Sequence, residues 1–201
     1  MNNHAIASAF IALVMSTAPA QAIELNPFSI IKGAVEAAVE DRSGDDIKKD
    51  LKIKASITAD VIDEMGTDII SLNVDVYEQV VMLTGVVEKA EQKKQAVKLT
   101  RKVEGIKKIY DEISVIKAID KDKGAVEGFV DDTVIESKIN ALLLDAGGVN
   151  VTNFRWRSVG GRVFLFGRAL SKPELNKAIG IVKGIKGVAT VTNRVMVRPK
   201  G

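Results

Sequence analysis

The sequence predicts an α+β protein: two tandem α-β-β-α-β domains, each a three-stranded mixed sheet with two helices on one face. Three observations lead to this. First, a shift of 82 positions lays Gly85 on Gly167, Gly105 on Gly187, Ile106 on Val188, Ile113 on Val195 and Val115 on Val197. That period exceeds the roughly 20–50 residues of solenoid repeats, so each copy should own a core. Second, the hydrophobic spacing in each copy reads helix, strand, strand, helix, strand. Third, a tight turn makes the first two strands antiparallel, while a helical crossover makes the third parallel to the second.

The elements follow in chain order. Residues 5–15 are uncharged and apolar, and Ala20-Gln21-Ala22 offers a small-residue cleavage site. This predicts an export signal over residues 1–22 and a mature terminus at Ile23. Asn26-Pro27 starts an amphipathic helix carrying Phe28, Ile31, Val35 and Val39 to about Asp41, within an N-terminal spacer over 23–44. The first domain is expected over 45–117, a charged linker over 118–130, and the second domain over 131–201.

Asp45 or Asp46 should cap the first helix of copy one, and Asp131-Asp132 that of copy two. The second of these helices carries Val134, Ile135, Ile139, Leu142 and Leu143 as its apolar residues. Gly160-Gly161 is a hairpin turn that tolerates positive φ, and Glu78-Gln79 occupies the equivalent place. Gly85 and Gly167 are expected at matching strand ends. Gly105 and Gly187 follow the second helices, where a left-handed residue is wanted.

Composition narrows the function. There is no Cys, and the one His, His4, lies within the predicted signal. Ser-His and Cys-His nucleophile pairs and the common zinc sites are therefore excluded from the mature chain. The carboxylates show no pairing that suggests acid–base chemistry. Neither catalytic nor metal residues are assigned, no cofactor is expected, and the chain reads as not an enzyme.

Several stretches resemble the BON domain, which occurs in tandem in exported and osmotically regulated bacterial proteins. They are Asp131-Asp132-Thr133-Val134-Ile135, Val163-Phe164-Leu165-Phe166-Gly167, Lys183-Gly184-Ile185-Lys186-Gly187-Val188 and Val191-Thr192-Asn193-Arg194-Val195. In the first copy, Val81-Met82-Leu83-Thr84-Gly85 and Glu104-Gly105-Ile106 correspond, whereas Glu78-Gln79 departs from the family's Asn-Gly type of turn. The resemblance implies an α+β fold and a non-catalytic role in phospholipid or envelope association. Some members are lipoproteins. Without a Cys at the cleavage site, this chain reads as a soluble periplasmic protein.

Charge points to a binding surface. Residues 46–116 hold 12 Lys and Arg against 13 Asp and Glu, whereas residues 131–201 hold 12 against 5. Strand alternation puts Arg155, Arg157, Phe164, Phe166 and Arg168 on one sheet face of the second domain. Arg194, Met196 and Arg198 join them, while Trp156 and Val195 face the core. Three readings stand for this face. It could bind anionic phospholipid. It could pack on the first copy's equivalent face of Asn73, Asp75, Met82, Thr84 and Glu112. Or it could be solvated.

The expected function is association with anionic phospholipid membranes in the periplasm through Arg155, Arg157, Phe164, Phe166, Arg168, Arg194 and Arg198. The alternative is a stress or chaperone-like module that binds envelope proteins. Lys172, Lys177, Lys183 and Lys186, on the helical side, are the comparison set for any lipid test. Gly184-Ile185-Lys186-Gly187 spells a nucleotide-clamping tetrapeptide, but it precedes a strand and nucleic acid is not an expected partner.

Overall fold

Helix, hairpin, helix and strand follow one another twice. In the first copy these are α1 (Gly44–Met65), β1 (Ser71–Tyr77), β2 (Val80–Val87), α2 (Ala90–Lys102) and β3 (Lys108–Val115). In the second they are α3 (Asp132–Asp145), β4 (Phe154–Val159), β5 (Arg162–Ala169), α4 (Lys172–Lys183) and β6 (Thr190–Val197). The computed structural model describes residues 40–66, 71–116 and 131–199, all within one unit running from Glu36 to Gly201. The export signal, the linker and most of the N-terminal helix lie outside the described residues.

The sheets are separate, with orders β1-β2-β3 and β4-β5-β6. Each has an antiparallel hairpin and a parallel third strand. Arg155 pairs with Phe166, Trp156 with Leu165 and Arg157 with Phe164, the register that the Gly160-Gly161 turn requires. In the first copy, Glu78 and Gln79 adopt φ of 50° and 62° without being glycine. Asp50, in α1, holds this strained turn by accepting both backbone N–H groups at 2.7 Å. Asp132 of α3 does the same for Gly160 and Gly161. The first helix of each copy thus clamps its hairpin.

Four local expectations are corrected. Ser43, not Asp45 or Asp46, caps α1 by accepting from the Asp46 N–H at 3.1 Å; a short hydroxyl one residue before Gly44 reaches that amide. Glu40 and Asp41 are not helical. Gly85 and Gly167 lie inside β2 and β5 rather than at their ends, because a Cβ there would overlap the carbonyl oxygens of Ser71 and Asn153. Val134 and Leu142 stay exposed, while Ile135, Ile139 and Leu143 enter the core; these three lie four residues apart along one helix face.

Each copy has its own core. Ile53, Ile57, Val61, Val81, Leu83 and Leu99 are among the residues filling the first. Ile135, Ile139, Phe154, Trp156, Leu165 and Val182 are among those filling the second. Trp156 is therefore a core residue, as its alternation predicts. A third apolar cluster belongs to both copies, and it defines the site.

Candidate functional site

The third cluster forms where the helix-free faces of the two sheets meet. Tyr77, Val80 and Met82 from the first copy pack with Val159, Phe164 and Phe166 from the second. Phe164 is 4% exposed and Phe166 fully buried. Tyr77 and Tyr110 both meet the Phe166 ring edge-on, with centroids 6.5 and 6.4 Å apart. Such edge-to-face pairs add about 0.5–1.5 kcal/mol beyond area burial.

Ion pairs surround this apolar centre. Arg157 grips Asp75 through two bonds of 2.8 and 2.9 Å. Arg194 donates to Glu112 at 2.6 Å and lies over the Tyr110 ring. Arg168 and Arg198 both reach Glu78, at 2.8 and 3.0 Å. Glu78 sits in the strained turn, so the unusual backbone there projects a carboxylate across to the other copy. Asp75 with Arg157, and Glu112 with Arg194, join positions 82 apart, which are equivalent positions of the repeat.

These charges shape one another. Burial alone would raise the Asp75 carboxyl, but the Arg157 charge and hydrogen bonds outweigh it and hold the group below its ordinary value. The Asp75 charge in turn raises Arg157. Burial pushes the Tyr77 phenol up to about 12 and raises Glu136, which lies 3.8 Å from Arg157. Arg168 Nε and Nη2 and the Thr84 hydroxyl find no hydrogen-bond partner among the described residues.

A second polar group clasps the edge. The segment entering α1 lays Glu40 against Arg155 and Arg42. The Asp41 carboxylate accepts from Asn150 and Asn153 side chains at 3.0 and 2.9 Å. The Asn153 side-chain oxygen accepts in turn from the Asp41 backbone and the Tyr77 hydroxyl. Arg42 also bonds Asp50 at 2.5 Å and covers the Tyr77 ring, with Arg155 nearby.

All seven residues predicted to contact lipid thus lie at this junction. The parity argument grouped them correctly on one sheet face, and that face is packed on the first copy. While the first copy covers Phe164 and Phe166, no bilayer can reach them, and the arginines point at carboxylates of the same chain. Packing on the other copy, one of the three readings, is the arrangement found. Sequence reasoning missed Tyr77, although it shares the parity of Asp75, and it missed Glu78, whose signal was a non-glycine in a turn that favours glycine. The clasp at residues 40–42 lies outside the repeat, where the internal comparison offers nothing. Among the described residues, no group of three or more His, Cys, Asp or Glu is placed to hold a metal ion.

The family model described as BON domain matches twice, over residues 49–117 and 131–199. The chain is similar to the "uncharacterized protein in gshII 5′ region" of Anaplasma centrale, 34% identical over 128 residues, covering 64% of this chain and 82% of that one. It is also similar to osmotically-inducible protein Y of Escherichia coli (strain K12), 31% identical over 144 residues, covering 72% and 70%. Among solved structures, CdsD, a structural protein of the type III secretion system of Chlamydia trachomatis, aligns over 74% of this chain and 93% of its own. Its TM-score of 0.30 and 11% identity are too low to carry an argument.

Proposed function

Since the chain belongs to the BON domain family and carries the domain twice, we propose that it is an exported, non-catalytic envelope protein whose joined repeats associate with anionic phospholipid. The observation that carries this reading is the fate of the charge. Five arginines of the second copy are paired internally with Glu40, Asp75, Glu78 and Glu112. The cations left facing outward are mostly lysines on the helical sides. The sequence pI is 9.0, and a basic outer surface favours an anionic partner. Lipid contact then belongs to those lysines rather than to the Arg and Phe face.

The signal-like residues 1–22 support export to the periplasm. The name of the Escherichia coli relative supports expression under osmotic stress. A second reading, a stress module that holds other envelope proteins, is favoured by the exposed apolar side chains of α3: Leu144 is 69% exposed, Leu142 47% and Val134 44%.

Cosedimentation with vesicles distinguishes the two. The protein should pellet with phosphatidylcholine vesicles containing phosphatidylglycerol but not with phosphatidylcholine alone. Binding should fall sharply from 0.1 to 1 M salt, as the Debye length shrinks from about 10 to about 3 Å. Equal pelleting with both vesicles, or none with either, sinks the lipid reading.

A further inference from the structure

We propose that the lipid contact lies on the first repeat, along α2 and into the start of β3, through Lys94, Lys98, Arg101, Lys102, Lys107 and Lys108. This rests on the lipid reading above and assigns it a surface. Once the junction has absorbed five of the six arginines of the second copy, the basic surface is no longer where the charge tally put it. The six side chains named are all exposed. Lys94, Lys98, Arg101 and Lys102 are spaced four, three and one apart, so they form a single stripe on α2. That stripe lies away from Ala96, Val97, Leu99 and Thr100, which are buried. Lys107 and Lys108 extend it past the helix end.

None of the six forms an ion pair among the described residues; the neighbouring Lys93 is the one that pairs, with Asp111. The stripe ends at an open groove of about 360 Å³ lined by Arg101, Val103, Ile106, Lys107, Lys108 and Ile109. Val103, Ile106 and Ile109 are half-buried against the first core. The accessible lining of the groove is mainly polar, and with its cationic rim it complements the anionic headgroup of a phospholipid.

The second copy supplies an internal comparison. At the equivalent positions it has Asn176, Gly180, Lys183, Gly184, Ala189 and Thr190. It builds the same helix and strand with one cation in place of six. The fold therefore does not require them. Compensation of the helix dipole accounts for Arg101 and Lys102 in the last turn, Lys107 donates to the Glu78 carbonyl oxygen at 3.2 Å and Lys108 lies over the Tyr110 ring, but none of these contacts accounts for Lys94 or Lys98.

The test uses the full chain and vesicles of phosphatidylcholine with 30% phosphatidylglycerol. A triple variant, Lys98→Gln, Arg101→Gln and Lys102→Gln, removes three exposed charges that form no ion pair among the described residues. At about fivefold per cation near an anionic surface, partitioning should weaken by about 100-fold. Lys172→Gln, Lys183→Gln and Lys186→Gln make the same change in net charge on the second copy and should weaken it less than fivefold. The independent pair Lys94→Glu and Lys98→Glu should behave like the first triple. If the wild type binds and the second-copy triple loses as much as the first or more, the placement is overturned and the lipid reading stands. If the wild type does not bind these vesicles, the lipid reading fails and this surface with it.

Discussion

Gly167 and Gly85 are single positions on which whole sheets depend. Each has φ above 100°, and each lets the neighbouring strand's carbonyl pass where a side chain would stand. Any other residue is strained twice, by conformation and by overlap. Backbone strain of this kind costs about 1–3 kcal/mol before the overlap is counted. Gly167→Ala should therefore lower unfolding free energy by about 3 kcal/mol, read from urea denaturation. A loss under about 1 kcal/mol would show that β4 can move aside. Gly180 is the contrast: it lies in α4 with open space around its Cα, and alanine there favours the helix by about 1 kcal/mol.

At the scale of elements, the segment 40–42 behaves as a strap over the edge between β1 and β4. Arg42 links Glu40 to Asp50 and stacks on Tyr77, so one side chain ties the strap to the hairpin clamp. Arg42→Ala should cost about 3 kcal/mol, since it strips a partner from two buried carboxylates. Hydrogen exchange should show the loss first at Tyr77 and Asn153; unchanged protection there would mean that the strap carries no tension. This strap was not legible in the sequence, because residues 40–42 precede the stretch over which the two copies can be matched. The strands and their register were legible, since alternation and the Gly160-Gly161 turn fix them together. Parity also grouped Arg155, Arg157, Phe164 and Phe166. Parity could not say what covers them, because lipid, water and a second sheet all accept arginine beside phenylalanine. The helix start was misjudged because Ser43, Asp45 and Asp46 each offer an oxygen within one turn.

Across the whole molecule, the imbalance between a neutral first copy and a basic second one resolves into complementarity. The pair of Asp75 and Arg157 makes this measurable. Because the folded Asp75 carboxyl is held below its ordinary value, its contribution is complete above about pH 4 and is lost as pH falls through the lower folded value. Glu136, raised by burial, acts oppositely: folding favours its protonated form, so its cost is present at neutral pH and relieved on acidification. The urea midpoint should hold steady or rise slightly from pH 7 to 5, as Glu136 takes up its proton, and fall below about pH 4 as Asp75 does. Asp75→Asn should lower the neutral plateau by about 3 kcal/mol and flatten the acid limb; a limb of undiminished slope would assign it to other carboxylates. The two pairs at the 82-residue spacing have a further consequence. Two identical copies meeting this way would set acid against acid, or arginine against arginine, at both positions. The present pairing depends on the copies differing there, one carrying carboxylates where its sibling carries guanidinium groups. Pulled apart, each half would bare its side of the apolar cluster to water, Tyr77 and Met82 on one and Phe164 and Phe166 on the other, so each serves as the lid of its sibling.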